Sequence, residues 1–152
     1  DFCLSRGLGD VYKRQFEGLI DFIEQSVFTL VNQILEREST GKEQAARIIA
    51  MLVQFAERNP GMTRVMVGDA LVYENERLQQ RMNQFFDKIE ASIRQALRED
   101  RAAEGSATPS VDAQVRASAL TSLAVGRLQR FARSGFRREP SEHLDALLAL
   151  VL

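Results

Sequence analysis

The stretch ALVYENERLQQRMNQFFDKIEASIRQALREDR, residues 70–101, decides the fold class of this chain. Its apolar residues recur at steps of three, four or seven residues, which places them on one stripe of an α-helix. The opposite face carries Glu, Arg and Gln, as expected for a helix with one side in a core and the other in water. We therefore predict a single long amphipathic helix over about 70–101. Its stripe consists of Leu71, Leu78, Met82, Phe85, Ile89, Ile93 and Leu97.

The rest of the chain is also predicted to be helical. No segment shows sustained two-residue alternation, and each of the three prolines coincides with a predicted break. Thr40 followed by Glu43 is a capping motif, and Gly135 is a natural helix-ending glycine. The small and polar segment 102–110 predicts a loop. The fold class is therefore all-α, with helices over about 16–38, 42–58, 62–67, 70–101 and 109–134 and a last helix from 140.

The first two predicted helices have different apolar patterns. In the helix over 16–38, two phenylalanines depart from the apolar stripe: Phe22 lies about 100° from Ile23, and Phe28 is also off the stripe. Such an aromatic residue is either the edge of a wide core contact or part of an open groove, and the residues alone favour the core edge. The helix over 42–58 is apolar almost all round, which predicts a central helix covered on several sides.

Residues 5–15, SRGLGDVYKRQ, differ in character from the remainder of the chain. The two glycines at 7 and 9 lack the third glycine of a dinucleotide-binding fingerprint, and no phosphate-binding loop ending follows them. A disordered tail is one alternative. Read back as codons, however, these residues match an in-frame transposase-type sequencing adapter in order. We expect residues 1–15 to be a non-native scar and residues 16–152 to form one domain.

The composition argues against several classes of function. Cys3 is the only cysteine and lies in the suspected scar, so residues 16–152 offer no disulfide, thiol catalyst or cysteine-based metal site. His143 is the only histidine, and one histidine among scattered carboxylates is not a metal-binding set, so we expect it at the surface. Neighbouring carboxylates such as Glu99 and Asp100 point apart on a helix. No catalytic residue, metal site or cofactor is predicted, and the protein is not expected to be an enzyme.

The charges are nearly balanced. Removing the three basic and two acidic residues of 1–15 leaves 17 basic and 19 acidic residues, a net charge of −2. This balance does not suggest a stand-alone nucleic-acid binder, which usually carries a basic surface. Near the end of one predicted helix, basic residues recur at spacings of three and four. They form either a solvated face that complements the negative helix end or a docking strip for an acidic partner segment: Arg127, Arg130, Arg133 and Arg137.

The stretch ERNPGMTRVMVGDALVYENERLQQRMNQFFDKIE, residues 57–90, resembles the SlmA-like nucleoid occlusion factors, a branch of the TetR regulator family. In that branch a helix ends in Glu-Arg-Asn-Pro-Gly, and a Thr-Arg pair follows. The next helix carries the motifs Arg-Leu-Gln, Asn-Gln and Ile-Glu. The segments LIDFIEQSV, 19–27, and RFARSGF, 130–136, match in the same order. The matching positions within 57–90 are Glu57, Arg58, Asn59, Pro60, Gly61, Thr63, Arg64, Arg77, Leu78, Gln79, Arg81, Asn83, Gln84, Phe86, Ile89 and Glu90.

The resemblance implies an architecture. Such regulators have an N-terminal helix-turn-helix domain that binds DNA and a larger helical domain that forms a homodimer through its last two long helices. Residues 16–152 correspond to the larger domain alone. DNA binding is therefore expected to reside upstream of Phe16, and no residue of this chain is assigned to it. The resemblance also implies a cytoplasmic, nucleoid-associated protein with no membrane span.

The resemblance implies a partner as well. In this branch the DNA-bound dimer captures the C-terminal tail of the division protein FtsZ and blocks division-ring assembly over the chromosome. The tail lies in a groove between the first two helices of the larger domain. An arginine of that groove corresponds to Leu30 here, and Phe22, off its stripe, now suits an open groove better than a core edge. Carried over by position, the groove uses Phe22, Met51, Gln54, Arg58 and Asn59.

An alternative function stays open on the sequence. A TetR-type repressor that responds to a small apolar ligand would have a roomy pocket with a few converging polar groups. The helix over 42–58 is filled with bulky apolar residues and lacks polar side chains that could orient such a ligand, which argues against this alternative.

Overall fold

The computed structural model describes residues 2–68 and 75–152. Within these ranges the chain is helical and contains no strand, which confirms the all-α fold class. Residues 69–74 lie outside the described residues, and with them Leu71 of the predicted stripe. The helices are α1 (Phe2–Arg37), α2 (Gly41–Arg58), α3 (Pro60–Met66), α4 (Glu76–Ala103), α5 (Pro109–Arg133) and α6 (Leu144–Val151).

The core is built around α2 and α4. The helix α4 packs against α5 and α2, and α2 contacts α1, α3, α4 and α5. The prediction of a central second helix is thus confirmed, although one face of α2 remains open to solvent. On α5 the buried alanines allow close approach of neighbouring helices. The buried residues of α4 and α5 include Leu78, Met82, Phe85, Ile89, Ile93, Leu97, Ala113, Ala117 and Ala124.

The first turn of α2 is held by a side chain from the last turns of α4. The Gly41 N–H donates to Asp100 Oδ1 at 2.9 Å, and the Lys42 N–H donates to Asp100 Oδ2 at 2.7 Å. The Thr40 side chain accepts the N–H of Glu43 at 3.2 Å, which confirms Thr40 as the N-cap. Asp100 therefore satisfies two N–H groups that the helix itself leaves unpaired, at the positive end of its dipole.

Ion pairs join one flank of α1 to α4. Arg81 Nη2 lies 2.7 Å from Asp21 Oδ1 and 3.1 Å from Glu24 Oε2. Partial burial, the largest single influence, lowers the pKa of the Arg81 guanidinium, but the hydrogen bonds and charges of the two carboxylates outweigh it, and the pKa is raised. Arg81 therefore remains charged throughout the pH range in which proteins are folded. Its contacts fix which flank of α1 faces α4 and leave the other flank beside α2.

The helix α5 ends in the motif that Gly135 predicts. Gly135 has a φ of 66°, its N–H donates to Ala132 O at 3.2 Å, and the N–H of Phe136 donates to Phe131 O at 2.9 Å. These two bonds form a Schellman motif. The rings of Phe131 and Phe136 meet edge to face with centroids 5.2 Å apart. The predicted glycine cap is therefore confirmed.

The predicted start of the last helix at residue 140 is wrong. Residues 140–143 form turns, and α6 begins at Leu144. His143 has a φ of 56°, in the left-handed region, so a helix cannot continue through it. The turn is anchored instead: Ser141 Oγ donates to Glu57 Oε1 at 3.0 Å, which ties this segment to the end of α2.

Four other predicted boundaries shift. The helix α1 begins at Phe2 rather than near Phe16, because no proline interrupts residues 2–15 and an established helix extends more easily than it starts. The helix α3 starts at Pro60, since proline suits the first turn. The helix α4 begins at Glu76 rather than at about 70, because Asn75 has an extended backbone and caps the helix through its side chain, and it continues through Ala103. Helix formation does not report the origin of residues 1–15, so the suspected scar stays a prediction.

Candidate functional site

The candidate groove lies between α1 and α2, which run antiparallel. Arg47 Nε on α2 lies 3.6 Å from Glu38 Oε1 at the end of α1. Gln44 Nε2 donates to the backbone oxygens of Leu35, at 3.2 Å, and Glu38, at 3.1 Å. These contacts set the register of the two helices. Later residues of α2 therefore lie beside progressively earlier residues of α1.

The two off-stripe phenylalanines of α1 have different environments. Phe28 packs into the core edge, with its ring edge to face against Phe85 at a centroid distance of 5.5 Å. Phe22 is 49% exposed, although it is among the largest apolar side chains in the chain. The core-edge interpretation is therefore right for Phe28 and wrong for Phe22. The residue pattern placed both off the stripe, but only the position of α4 decided between them.

The open face of α2 carries three of the residues assigned to the groove. Met51 is half-buried, while Gln54 and Arg58 are exposed. Together with exposed Arg47 they follow a four-, three- and four-residue spacing, which places them on one helical face. Among the described residues no carboxylate lies within 4 Å of the Arg58 guanidinium. This face thus offers one apolar side chain, that of Met51, and an arginine at position 58 that can pair with an incoming carboxylate.

Asn59 stands at the junction of α2 and α3. Its Nδ2 donates to Phe55 O at 2.8 Å, so the amide nitrogen closes the end of α2. Its backbone oxygen accepts the N–H and the hydroxyl of Thr63, at 3.0 Å and 3.1 Å. The Asn59 side chain therefore holds the corner beside Arg58, and its amide nitrogen is already engaged within the chain.

Sequence reasoning missed two features of this groove. Leu30 is 37% exposed on the flank of α1 that borders α2. From the sequence it was considered only as a position at which the family's arginine is absent, and not as an exposed apolar side chain. Arg47 shares the open face of α2 but was assigned no role. Its spacing of four from Met51 was the available signal.

A second unpartnered apolar surface lies on α5 and α6. Val111 and Val115 of α5 are 60% and 62% exposed, and Leu150 of α6 is 83% exposed. A depression of about 380 Å³ runs between the two helices here. Arg116 Nη1 donates to the backbone oxygen of Val151, which joins the end of α6 to α5. The last two helices thus present one apolar surface.

The arginines of the predicted docking strip do not form one continuous helical face. Arg127 is half-buried, and Arg130 and Arg133 are exposed near the end of α5. Arg137 lies beyond that helix, in the segment that follows the Schellman motif. Next to this segment, the Arg64 guanidinium stacks over the Phe136 ring at 5.1 Å from its centroid. The structure therefore interrupts the predicted strip at Gly135.

The remaining candidate groups have ordinary surface positions. The side chain of His143 is 78% exposed, with Nε2 3.5 Å from Glu142 Oε1. In residues 2–68 and 75–152, no three His, Cys, Asp or Glu side chains come together in a way that could hold a metal ion. None of the helices described there has an apolar stretch long enough to cross a membrane.

Two further depressions lie among the described residues. One of about 490 Å³ is lined by arginine, glutamate and serine side chains around Arg137, and one of about 460 Å³ lies beside Gln44 and Gln95. Both open to solvent, and the second has Leu35, Ala91 and Ala96 in its lining as well as polar side chains. A ligand-responsive repressor would instead need an enclosed and mainly apolar pocket, so neither depression supports that alternative.

Comparison with known proteins identifies the family of this chain. A family model for the SlmA-like C-terminal domain, described as a tetracyclin repressor-like C-terminal domain, matches residues 42–152. The nucleoid occlusion factor SlmA of Vibrio atlanticus is 44% identical over 138 residues, which cover 91% of this chain and 70% of that protein. The SlmA proteins of Aliivibrio fischeri and Photobacterium profundum are 45% and 46% identical, over 91% and 87% of this chain and 70% and 67% of their own lengths. The chain therefore belongs to the SlmA family of nucleoid occlusion factors, a branch of the TetR-type regulators.

Proposed function

We propose that this chain acts in nucleoid occlusion by capturing the C-terminal tail of FtsZ in the groove between α1 and α2. The observation that carries the proposal is the half-exposed Phe22 on the flank of α1 beside α2, together with Arg58, which has no carboxylate within 4 Å among the described residues. An exposed aromatic anchor beside an available arginine suits a peptide that carries both an apolar side chain and a carboxylate.

The two residues make different physical contributions in this proposal. When the peptide covers Phe22, apolar surface is removed from water, and this increases the affinity of the chain for the peptide. Arg58 attracts a carboxylate at an exposed position, where salt screens the charge. Asn59 holds the corner that positions Arg58, while Met51 and Gln54 line the groove beside it. Phe22 should therefore contribute more to affinity, and Arg58 more to its salt dependence.

We expect Phe22→Ala to weaken binding of an FtsZ tail peptide more than Arg58→Ala does at high salt. Truncating an aromatic anchor commonly costs about 2 kcal/mol or more, whereas an exposed charge contributes less and is screened. The difference between the two variants should narrow at low salt, because the Arg58 contribution grows. Titration of a labelled tail peptide at two salt concentrations measures both effects.

The control is Asn32→Ala, which alters an exposed polar residue of α1 that is not assigned to the groove. Its affinity should equal that of the unchanged chain. If the unchanged chain binds the peptide and neither Phe22→Ala nor Arg58→Ala alters its affinity, the groove assignment is wrong.

We further propose that the chain forms a homodimer through α5 and α6. The exposed Val111, Val115 and Leu150 would leave a contiguous apolar surface on a monomer, and a two-fold interface would cover it twice. DNA contact belongs, in this proposal, to a helix-turn-helix domain outside the described residues. Arg130 and Arg133 remain a proposed second contact for an acidic partner segment.

We expect Val115→Glu to raise the dimer dissociation constant by about two orders of magnitude or more. The reason is that the two-fold symmetric interface would bury one carboxylate from each copy in an apolar contact. Sedimentation equilibrium at micromolar concentration measures this. Thr29→Glu, an equally polar change at an exposed position of α1, should leave the dimer intact. A stable monomer of the unchanged chain would contradict the proposed dimer.

A further inference from the structure

Arginines are concentrated at the end of α5 and in the segment that follows it. Residues 127–138 contain five arginines and no aspartate or glutamate, whereas the whole chain has a net charge of −1. Four of the five are exposed, and Arg127 is half-buried. Among the described residues, no carboxylate lies within 4 Å of any of the five guanidinium groups. We call this set the basic end of α5: Arg127, Arg130, Arg133, Arg137 and Arg138.

Two ordinary roles do not account for the basic end of α5. A helix C-terminus carries about half a negative charge, which Arg130 and Arg133 in the last turn already complement. Internal ion pairing does not account for it either, because the two glutamates that share the wall of the depression around Arg137 are not within ion-pair distance. A cluster of like charges repels itself, and an anionic partner relieves this repulsion.

The basic end of α5 lies at one end of the helical bundle. Beside it, the Arg64 guanidinium of α3 stacks over the Phe136 ring at 5.1 Å from its centroid, and α3 also contacts α1. The end of α2 is tied to the same region, since Ser141 Oγ donates to Glu57 Oε1 at 3.0 Å. Because α1 and α2 run antiparallel, the end of α2 lies beside the early turns of α1. In the proposed function the DNA-binding domain precedes Phe16, so DNA held by that domain would lie at the same end of the molecule as these arginines.

We propose that the acidic partner of the basic end of α5 is the phosphate backbone of duplex DNA, which this surface contacts without reading the base sequence. From Arg127 to Arg133 the helix rises by about 9 Å. Duplex DNA carries one negative charge per about 1.7 Å of its axis, so this length faces about five phosphates. An extended acidic peptide of the same length has only about three residues. The density of arginines therefore matches DNA better than a peptide.

This inference rests on the proposed nucleoid function and adds to it a second, sequence-independent DNA contact within the described residues. The nearly balanced charge of the whole chain is consistent with a weak contact, because the surface acts beside a separate DNA-binding domain. Its contribution is then electrostatic, and it should depend steeply on salt and not on base sequence.

The test is fluorescence anisotropy of a short labelled duplex of arbitrary sequence, titrated with the full chain at several salt concentrations. Arg130→Gln combined with Arg137→Gln removes two phosphate contacts, so the slope of log K against log salt should fall by about 2. This change corresponds to about a tenfold loss of affinity at about 50 mM salt, which disappears at about 200 mM. A second duplex of unrelated sequence should show the same loss.

Two matched variants separate a local contact from a general effect of charge. Arg94→Gln combined with Arg98→Gln makes the same charge change at exposed positions of α4, and it should leave the affinity for the duplex nearly unchanged. Arg130→Lys combined with Arg137→Lys should bind within about threefold of the unchanged chain, because a lysine also pairs with phosphate as a point charge. Circular dichroism and sedimentation check that each variant is folded and associates like the unchanged chain.

Three results would overturn the proposal. The first is an equal loss of affinity from the two paired glutamine variants, which would mean that only the net charge matters. The second is failure of the unchanged chain to bind the duplex at low salt. The third is binding of a polyglutamate peptide in preference to the duplex at the same salt concentration, which would assign the surface to an acidic protein segment.

Titration of the labelled FtsZ tail peptide into the same variants keeps this inference apart from the proposed function. Arg130→Gln combined with Arg137→Gln should leave the affinity for the tail nearly unchanged, because neither residue is assigned to the groove. If the unchanged chain binds the duplex but not the tail, capture of the tail is wrong and the DNA contact stands. If it binds the tail but not the duplex, the reverse holds.

Discussion

Gly41→Ala is expected to destabilise the fold by about 3 kcal/mol, a large effect for the addition of one methyl group. A Cβ at residue 41 would overlap the backbone oxygen of Ala96, lie 2.8 Å from its carbonyl carbon and 2.9 Å from Asp100 Cγ. The first of these neighbours is helix backbone, which cannot rotate away. The start of α2 must therefore move off α4 and weaken the two hydrogen bonds from Gly41 and Lys42 to Asp100.

Urea unfolding followed by circular dichroism, at one fixed protein concentration, measures this loss. Gly18→Ala is the matched control, because a Cβ there meets no atom within 4 Å in the middle of α1. That change should stabilise the chain by about 0.5–1 kcal/mol, since alanine is the better helix former. Asp100→Ala combined with Gly41→Ala should cost less than the sum of the two single changes, because both act on the same contact. Equal effects of the two glycine substitutions would contradict the close approach of α2 to α4.

Phe85→Ala is expected to cost about 3–5 kcal/mol of unfolding free energy. Phe85 is 1% exposed on the stripe of α4, and its ring meets Phe28 of α1 at 5.5 Å and Phe86 at 5.1 Å, both edge to face. The substitution leaves a cavity among fixed helices and also removes two aromatic contacts. Since Phe28 then loses its aromatic contact with α4, the packing of α1 against α4 should loosen.

The comparison for this prediction is Phe86→Ala, which removes the same side chain from the next residue. Phe86 is only half-buried, so its loss should cost clearly less. Urea midpoints of both variants, at equal protein concentration, provide the measurement. A cost for Phe85→Ala no larger than that for Phe86→Ala would show that the Phe85 ring is not the central contact between α1 and α4.

Helix periodicity and capping chemistry are local, and the sequence alone therefore determined most of the helical framework. The stripe of α4, the capping of α2 by Thr40 and the glycine cap at Gly135 all depend on residues within one or two helical turns. The assignment to the SlmA family also follows from the sequence, because the order of the motifs along the chain carries it. The start of α6 was missed because Pro140 predicts a first helical turn, whereas the backbone at His143 is left-handed.

Contacts between residues distant in the chain were decided only by the tertiary structure. Asp100 caps a helix that begins 59 residues earlier, and Gly41 must lack a side chain because the backbone of Ala96 lies against it. Likewise, the sequence placed Phe22 and Phe28 off the same stripe, but α4 covers only one flank of α1. Phe28 packs partly buried against Phe85 on that flank, whereas Phe22 on the other remains half-exposed. Periodicity sets the direction of a side chain from its own helix axis, and the neighbouring helix determines whether that direction leads into the core or into an open groove.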